Sequence, residues 1–232
     1  MLRGIDLDVP AGRTVALVGR NRERLQAAFG ATAPCIEADV STPEGARAAV
    51  ERCQQQVGLP TALAHCAGTT LLAPLHRTPA EQYRACLTAN LDSAFFMLGA
   101  FVEALRQARE PGAAVLVSSV VARIGVANHE AIAAAKAGVE GLARAAAATY
   151  APSRIRVNAV APGIMDTPAV ARIIGTEAAR AGAARQYPLP GIGDPVDLAR
   201  LMAWLLSDKA GWITGQVWAV DGGFSGVRPL VK

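Results

Sequence analysis

The chain has few aromatic residues, few histidines and few cysteines for its length. Of its 232 residues, 5% are aromatic, three are histidine and four are cysteine. The cysteines are 18, 13 and 20 positions apart and form no C-x-x-C pair. We therefore expect no metal centre, and we expect reduced, buried thiols of the kind usual in a cytoplasmic protein.

Long apolar stretches and clustered charge are also missing. No uninterrupted apolar run approaches the ~18 residues of a membrane-spanning helix, and the first residues contain no apolar core of a signal peptide. There are 20 arginines but only three lysines, and the net charge of +4 is dispersed along the chain. The sequence therefore disfavours secretion, membrane insertion and nucleic-acid binding, and it favours a cytoplasmic location.

Apolar residues, by contrast, are abundant. They make up 52% of the chain, and the mean hydropathy is +0.26. This value is high for a monomer that exposes only scattered apolar side chains, so we expect part of the surface to be buried against other subunits. The length and the uniform composition predict one α/β domain over residues 1–232.

The beginning of the chain predicts two strands joined by a turn. Residues 4–9 alternate between apolar and acidic side chains, which is typical of a strand with one wet face. Residues 10–12, Pro-Ala-Gly, favour a turn, and residues 14–18 form a fully apolar strand. A hairpin of 4–9 with 13–18 is one arrangement that this pattern allows.

The next segments predict alternating helices and strands. Residues 23–29 are helical in pattern, and residues 35–40 form the next strand. A helix over 44–57 follows, with Ser41 as its expected N-cap and Glu44 in a capping-box position.

A serine, an isoleucine and a lysine carry the strongest motif. An apolar run at 115–117 ends in two serines, and a helix containing Lys136 follows. This segment resembles the active site of the short-chain dehydrogenase/reductase family, in which a strand-end serine precedes a Y-x-x-x-K helix by thirteen residues. Thirteen residues after Ser119 comes Ile132, and four further comes Lys136. The serine and the lysine are in place, but an alkyl group stands where the family has its proton-transferring phenol.

Further motifs of that family follow in order over about residues 14–223. They are a strand ending in His65-Cys66-Ala67-Gly68 where the family has N-N-A-G, the N-x-x-x-x-F helix at Asn90, the R-V-N-x-V-x-P-G-x-x-x-T segment at 154–167, and D-G-G at 221–223. The resemblance implies a Rossmann-like, doubly wound, mostly parallel sheet with helices on both faces. It also implies a substrate lid at 165–190.

The glycine-rich loop of the family is missing from this sequence. In the family, a first strand and a T-G-x-x-x-G-x-G loop precede the strand that residues 14–18 resemble. Only thirteen residues stand before Thr14 here, whereas a βαβ unit needs ~30. If 14–18 is instead the first strand, the arginine-rich residues 20–24 would fill the space of a pyrophosphate. We expect a truncated or replaced N-terminal βα unit, with residues 1–13 atypical, built either as the hairpin above or as a sheet that lacks one strand.

The resemblance assigns roles to individual residues. Asn90, Ser119 and Lys136 occupy retained positions of the catalytic tetrad, and without the tyrosine we expect them to be vestigial. His129 and Glu130 are the nearest replacement acids in sequence, but they lie too close to the helix start to reach the same point. Positions that contact the cofactor in the family, also expected to be vestigial here, are Arg20, Asp39, Val40, Ala67, Gly68, Pro162, Gly163 and Thr167. Arg20 would favour NADP over NAD if a dinucleotide did bind.

Three functions are compatible with these losses. We favour a non-catalytic subunit of a hetero-oligomeric dehydrogenase, without a cofactor of its own, paired through helices at about 83–109 and 131–150 with an intact paralogue that holds NAD or NADP. A comparable partner occurs in the two-subunit hydroxyacyl-CoA dehydrogenase of benzylsuccinate metabolism. The alternatives are an active NAD(P)-dependent oxidoreductase, or redox-free lyase or hydratase, with an altered site, and a sensor of small molecules or anions.

Overall fold

The structure, a computed structural model, describes residues 14–30 and 32–228. The strands are β1 (Leu17–Gly19), β2 (Cys35–Glu37), β3 (Ala62–His65), β4 (Gly112–Val117), β5 (Ile155–Pro162) and β6 (Val217–Val220). The helices are α1 (Arg22–Phe29), α2 (Pro43–Val57), α3 (Ala80–Leu87), α4 (Ser93–Ala108), α5 (Glu130–Tyr150), α6 (Ala171–Ile174), α7 (Glu177–Ala184) and α8 (Pro195–Leu206). The predicted strand at 4–9 and its hairpin lie outside the described residues.

All paired strands run parallel, in two separate sheets. β1 pairs with β2, and the other sheet has the order β3-β4-β5-β6. A doubly wound fold has the strand order 3-2-1-4-5-6, and removing strand 1 from that order leaves a pair and a set of three strands. The larger sheet here corresponds to that set with β6 as one further parallel strand beside β5. The topology therefore supports the interpretation of residues 14–18 as part of the second strand of the family. The predicted α/β Rossmann-like fold is confirmed.

Helices cover both faces of the larger sheet because its strands alternate apolar side chains on both sides. Ala114 and Leu116 of β4 pack in a cluster with Phe101 of α4 and Val139 of α5. Val115, the residue between them, lies in a cluster with Leu198, Met202 and Leu205 of α8. This packing fixes the carboxyl ends of β3, β4 and β5 along one edge.

The helix α2 begins differently from the prediction. Its N-cap is Thr42, whose hydroxyl accepts a hydrogen bond from Gly45 N at 3.1 Å. Ser41 was the wrong choice because its amide and hydroxyl both donate to the carboxylate of Asp39, at 3.0 and 2.7 Å. Glu44 is therefore not in a capping-box position, and Pro43 takes the first helical position, where its fixed φ is tolerated.

Residues 80–108 form one continuous helical stretch. By length and composition it could cross a membrane, with a mean hydropathy of 1.5 over its most apolar window. Leu98, Phe101 and Leu105 of this stretch are fully buried against the sheet, so core packing accounts for its apolar character. Between α3 and α4 the residues Thr88–Asp92 form a π-helical turn, with Asn90 at its centre.

Candidate functional site

The predicted site residues follow three neighbouring parallel strands. Ala67 and Gly68 come after β3, Ser119 comes after β4, and Pro162 and Gly163 lie at the end of β5. The carboxyl ends of parallel strands meet at one edge of a sheet, and ligands of open α/β sheets bind in the crevice outside that edge. The structure therefore brings these motif residues to the edge where this fold class binds its ligands.

Asn90 is held by the π-helical turn and points at the loop after β3. Its amide donates to Cys86 O at 2.9 Å and to Thr69 O at 3.1 Å, and its Oδ1 accepts from Thr69 N at 3.3 Å. The π turn interrupts the regular helix at this asparagine. Every polar atom of the amide has a backbone partner, so the side chain supports the loop that carries Gly68.

Lys136 lies beside Asn90 and Gly68. Its Nζ donates to Val117 O at 2.7 Å, and only 8% of the residue is exposed. A Cβ at position 68 would lie 2.5 Å from Asn90 Oδ1 and 3.4 Å from Lys136 Nζ, so glycine is required for this approach. Burial lowers the pKa of Lys136 to about 8, and the thiols of Cys66 and Cys86 oppose that shift.

Ile132, one helical turn before Lys136, is packed in an apolar cluster. It is 5% exposed and forms a cluster with Cys86 and Ala131, against which Leu71 and Val121 pack. These neighbours offer no proton donor or acceptor on their side chains apart from a weak thiol. The position of the family's phenol is therefore filled by hydrocarbon in contact with hydrocarbon.

Neither suggested replacement acid is directed into the site. His129 occupies the N-cap position of α5 without a side-chain capping bond. Its Nδ1 lies 2.7 Å from Ala127 O of the same loop. Glu130 is exposed in the first turn of α5. Within the described ranges, then, neither group stands in for the missing tyrosine.

Ser118, which the sequence did not single out, makes the stronger contacts of the two serines. Its hydroxyl lies 3.2 Å from both Lys136 O and the carboxylate of Glu140, which also accepts from Arg123 at 3.1 Å. Ser119 accepts only a long bond, 3.4 Å, from Val121 N. The one signal in the sequence was the spacing of Glu140 four residues after Lys136, which places both on one face of α5.

His65 is buried at the end of β3. Its Nε2 lies 3.1 Å from the hydroxyl oxygen of Ser93, and burial followed by the charge of Lys136 lowers its pKa to about 4. It is therefore neutral near pH 7 and packs at the end of the strand. No group of three or more metal-ligating side chains occurs in the part of the chain that the structure describes.

The residues predicted to contact the adenosine end lie at the ends of β1 and β2. The pKa of Asp39 is lowered mainly by the two hydrogen bonds from Ser41, and the charge of the exposed Arg20 adds a smaller effect. The carboxylate of Asp39 accepts hydrogen bonds from the amide and the hydroxyl of Ser41, and the neighbouring Val40 is half-buried. This carboxylate therefore binds the turn that precedes α2.

The end of β5 is covered by a tyrosine that the sequence analysis missed. The amide of Ile164 donates to the hydroxyl of Tyr187 at 2.8 Å, and a Cβ at Gly163 would lie 2.9 Å from the same ring. Thr167 starts a short 3-10 turn without a side-chain capping bond. Residues 165–190, the predicted lid, contain the short helices α6 and α7. Helices of this length show no clear hydrophobic period, so the sequence did not predict the contact of Tyr187 with Ile164.

Two polar residues of the R-V-N segment support neighbouring loops. Arg156 donates to Leu205 O at 2.7 Å and to Ser207 O at 3.0 Å, which satisfies the carbonyls at the end of α8. Asn158 is fully buried and bridges Ile213 O and Gln216 N. This part of the motif therefore positions the loop before β6.

A dinucleotide fits only part of this edge. In a doubly wound fold the pyrophosphate lies on the N-terminus of the helix that follows the first strand. Within residues 14–30 and 32–228, β1 pairs only with β2 and β3 pairs only with β4, so no described strand joins the two sheets at the position of that first strand. The described residues thus include the motif positions at the ends of β3, β4 and β5, and they do not include a first strand with its following helix.

Known proteins match over nearly the whole chain. A family model described as enoyl-(acyl carrier protein) reductase matches residues 10–225. A cis-4-hydroxycyclohexanecarboxylate dehydrogenase of Sinomonas cyclohexanicum is 36% identical, over 83% of this chain and 76% of that protein. A protein of Xanthobacter autotrophicus named inactive 2-(S)-hydroxypropyl-CoM dehydrogenase 2 is 34% identical, over 94% of this chain and 98% of that one.

Solved structures agree with these relatives. An NADPH-bound short chain oxidoreductase of Pseudomonas aeruginosa, described as containing an atypical catalytic center, has a TM-score of 0.85 and 29% identity. The match covers 94% of this chain and 89% of that one. On the fold, the ordered motifs and these matches, the chain belongs to the short-chain dehydrogenase/reductase family of oxidoreductases, which generally bind NAD(P).

Proposed function

We propose that this chain is a non-catalytic subunit of a hetero-oligomeric dehydrogenase, in which an intact paralogous subunit holds NAD or NADP and transfers the hydride. The observation that carries the proposal is Ile132. It stands at the position of the proton-transferring phenol and is buried among Cys86, Ala131 and other apolar groups. A general acid or base contributes typically ~10²–10⁴-fold to such a reaction, and an alkyl side chain contributes none of it.

Two further observations support the same conclusion. The described residues provide no helix N-terminus for a pyrophosphate at the crevice, so both the acid and the phosphate grip of the reaction are without a counterpart in them. The relative from Xanthobacter autotrophicus, which matches this chain over 98% of its own length, carries the word inactive in its name. A site that holds no cofactor has no need of a proton donor, so the two losses are mutually consistent.

The surface of α4 and α5 is the proposed contact with the paralogue. Residues 131–148 of α5 include ten alanines, of which five are buried in the core of this chain and four are exposed: Ala134, Ala137, Ala145 and Ala148. On α4, Phe95 is 57% exposed. An open groove of about 370 Å³, lined by Gly99, Val102, Glu103, Arg106, Gln107 and Tyr150, lies between the two helices. Exposed aromatic residues such as Phe95, and arginines such as Arg106, are enriched at subunit interfaces.

The test has two parts, carried out on the purified full chain. Isothermal titration with NAD(H) and NADP(H) should give no binding by the chain alone, and a dissociation constant below ~1 mM would contradict the proposal. Co-expression with intact dehydrogenase paralogues from the same genome should yield a stable mixed oligomer with one of them. Recovery of only homomeric species with every paralogue would count equally against it.

An active oxidoreductase with an altered centre is the second candidate. It is favoured by the direct proximity of Lys136, Asn90 and Gly68 and by the similarity to the oxidoreductase described as having an atypical catalytic center. The same titration distinguishes the two candidates, because this one requires the isolated chain to bind a nicotinamide cofactor.

A further inference from the structure

The amine of Lys136 is buried without a counter-charge. Its hydrogen bond at 2.7 Å goes to the carbonyl oxygen of Val117, and no carboxylate in the described part of the chain pairs with it. The titratable groups that face it are His65, which is neutral near pH 7, and the thiols of Cys66 and Cys86. None of these is a ready anion at neutral pH, so the ammonium form is poorly compensated.

Ile132 makes this environment more apolar. It precedes Lys136 by four residues, so the two side chains share one face of α5, and it packs with Cys86, which also faces the amine. The substitution that removes the phenol from the family motif thus also removes the acidic group next to the lysine. Lysine changes its pKa readily when buried in this way, which is the property that Schiff-base lysines use.

The amine lies next to an exposed loop of small side chains. Residues 66–70, Cys-Ala-Gly-Thr-Thr, are exposed, and Gly68 is the member closest to Nζ. Lys136 itself keeps 8% of its surface exposed. A reagent that reaches Nζ past Gly68 must therefore be small, since a Cβ built at Gly68 would already lie 3.4 Å from the amine.

We propose that Lys136 is a covalent binding site for small aldehydes. The neutral Nζ attacks the carbonyl carbon to give a carbinolamine, which then loses its oxygen as water and leaves a carbon–nitrogen double bond. Aldehyde and amine thus become imine and water, with no oxidant or reductant consumed. This site is independent of any cofactor and of any partner subunit, and it goes beyond the proposed function.

The test uses acetaldehyde with sodium cyanoborohydride, which reduces the imine to a stable ethyl group. The full chain is treated at pH 7.5, and the modified lysines are located by peptide mass mapping. At pH 7.5, about one in four amines with a pKa near 8 is neutral, against about one in a thousand ordinary lysines, and the burial of Lys136 slows access and so reduces this advantage. We expect Lys136 to react about tenfold faster than Lys209, which is exposed. Equal or slower reaction of Lys136 in the folded chain overturns the proposal.

Three variants and one condition complete the design. Lys209→Arg should leave the fast reaction unchanged, and Lys136→Arg should abolish it. Ile132→Tyr should slow it, because a phenol beside Nζ again stabilises the ammonium. In urea the difference between Lys136 and Lys209 should vanish, and its persistence there would show that the fold does not cause it. A negative result leaves the cofactor titration and the co-expression outcome untouched, so the two proposals fail separately.

Discussion

The Nε2 atom of His65 donates a hydrogen bond to the hydroxyl of Ser93, 3.1 Å away, inside the core. The direction follows from Ser93, whose single hydroxyl proton goes to Ala89 O at 2.8 Å, so its oxygen must accept. The Nε2 atom therefore carries a proton, and because the pKa of His65 lies well below 7 the neutral imidazole has its proton on this nitrogen. Protonation would place a charge in a buried site beside Lys136, which is why the pKa falls to about 4.

This histidine should make the stability depend on pH in the mildly acidic range. The unfolded chain binds the proton at pH ~6.5 and the folded chain only near 4, so the free energy of unfolding should fall as the pH drops from about 6.5 to 4. The loss should amount to about 3 kcal/mol, and it should be absent in His65→Asn. Urea unfolding of both proteins across this range measures it. Parallel stability curves would show that His65 does not cause the dependence.

Gly68 should not tolerate a methyl group. In Gly68→Ala the new Cβ would lie 2.5 Å from Asn90 Oδ1, so Asn90 must move and its bonds to the Thr69 backbone must weaken. We expect a loss of about 1–3 kcal/mol in the free energy of unfolding. Gly125→Ala is the matched control, because nothing lies within 4 Å of its Cβ position and it should change stability little. Equal stability of the two variants would mean that the loop after β3 adapts freely.

Glu140 should contribute more to stability than an exposed ion pair. Its carboxylate, 7% exposed as a residue, is bound by Ser118 and Arg123 and approached by Arg144 at 3.5 Å. Glu140→Gln keeps the shape but removes the charge, and we expect a loss of about 1–3 kcal/mol in chemical denaturation. Glu44→Gln breaks an exposed pair with Arg47 and should change stability by less than about 0.5 kcal/mol. Similar losses in both variants would mean that burial of Glu140 adds nothing.

The fold could be predicted because each motif lies within a short stretch of sequence and the motifs follow one another in the order of the family. Apolar runs, the serine-to-lysine spacing and the asparagine at position 90 each correspond to one element, and each element lies where the pattern indicated. Ile132 was recognisable for the same reason, since a fixed spacing from Ser119 identifies the position.

The contacts that were missed depend on three-dimensional proximity or on competition between neighbours. Ser41 and Thr42 are both good N-caps, and only the position of Asp39 decides that Ser41 is used in the turn. Tyr187 reaches Ile164 across 23 residues of irregular chain. Arg123 and Glu140 are 17 residues apart and meet because the turn after β4 folds back on α5. No sequence period encodes such distances.

Restoring the phenol should destabilise the chain. Ile132→Tyr adds a ring and a hydroxyl to a closed cluster in which Cys86 and Ala131 are already buried, so the larger side chain must displace its neighbours. We expect the free energy of unfolding to fall by about 1–3 kcal/mol, whereas Ile132→Val should cost about 0.5–1.5 kcal/mol through a small cavity. Chemical denaturation of both variants measures this. If Ile132→Tyr were as stable as the parent, a cavity for the phenol would persist beside Lys136. The packing around Ile132 would then be no obstacle to the family's chemistry, and the non-catalytic interpretation would lose its main structural support.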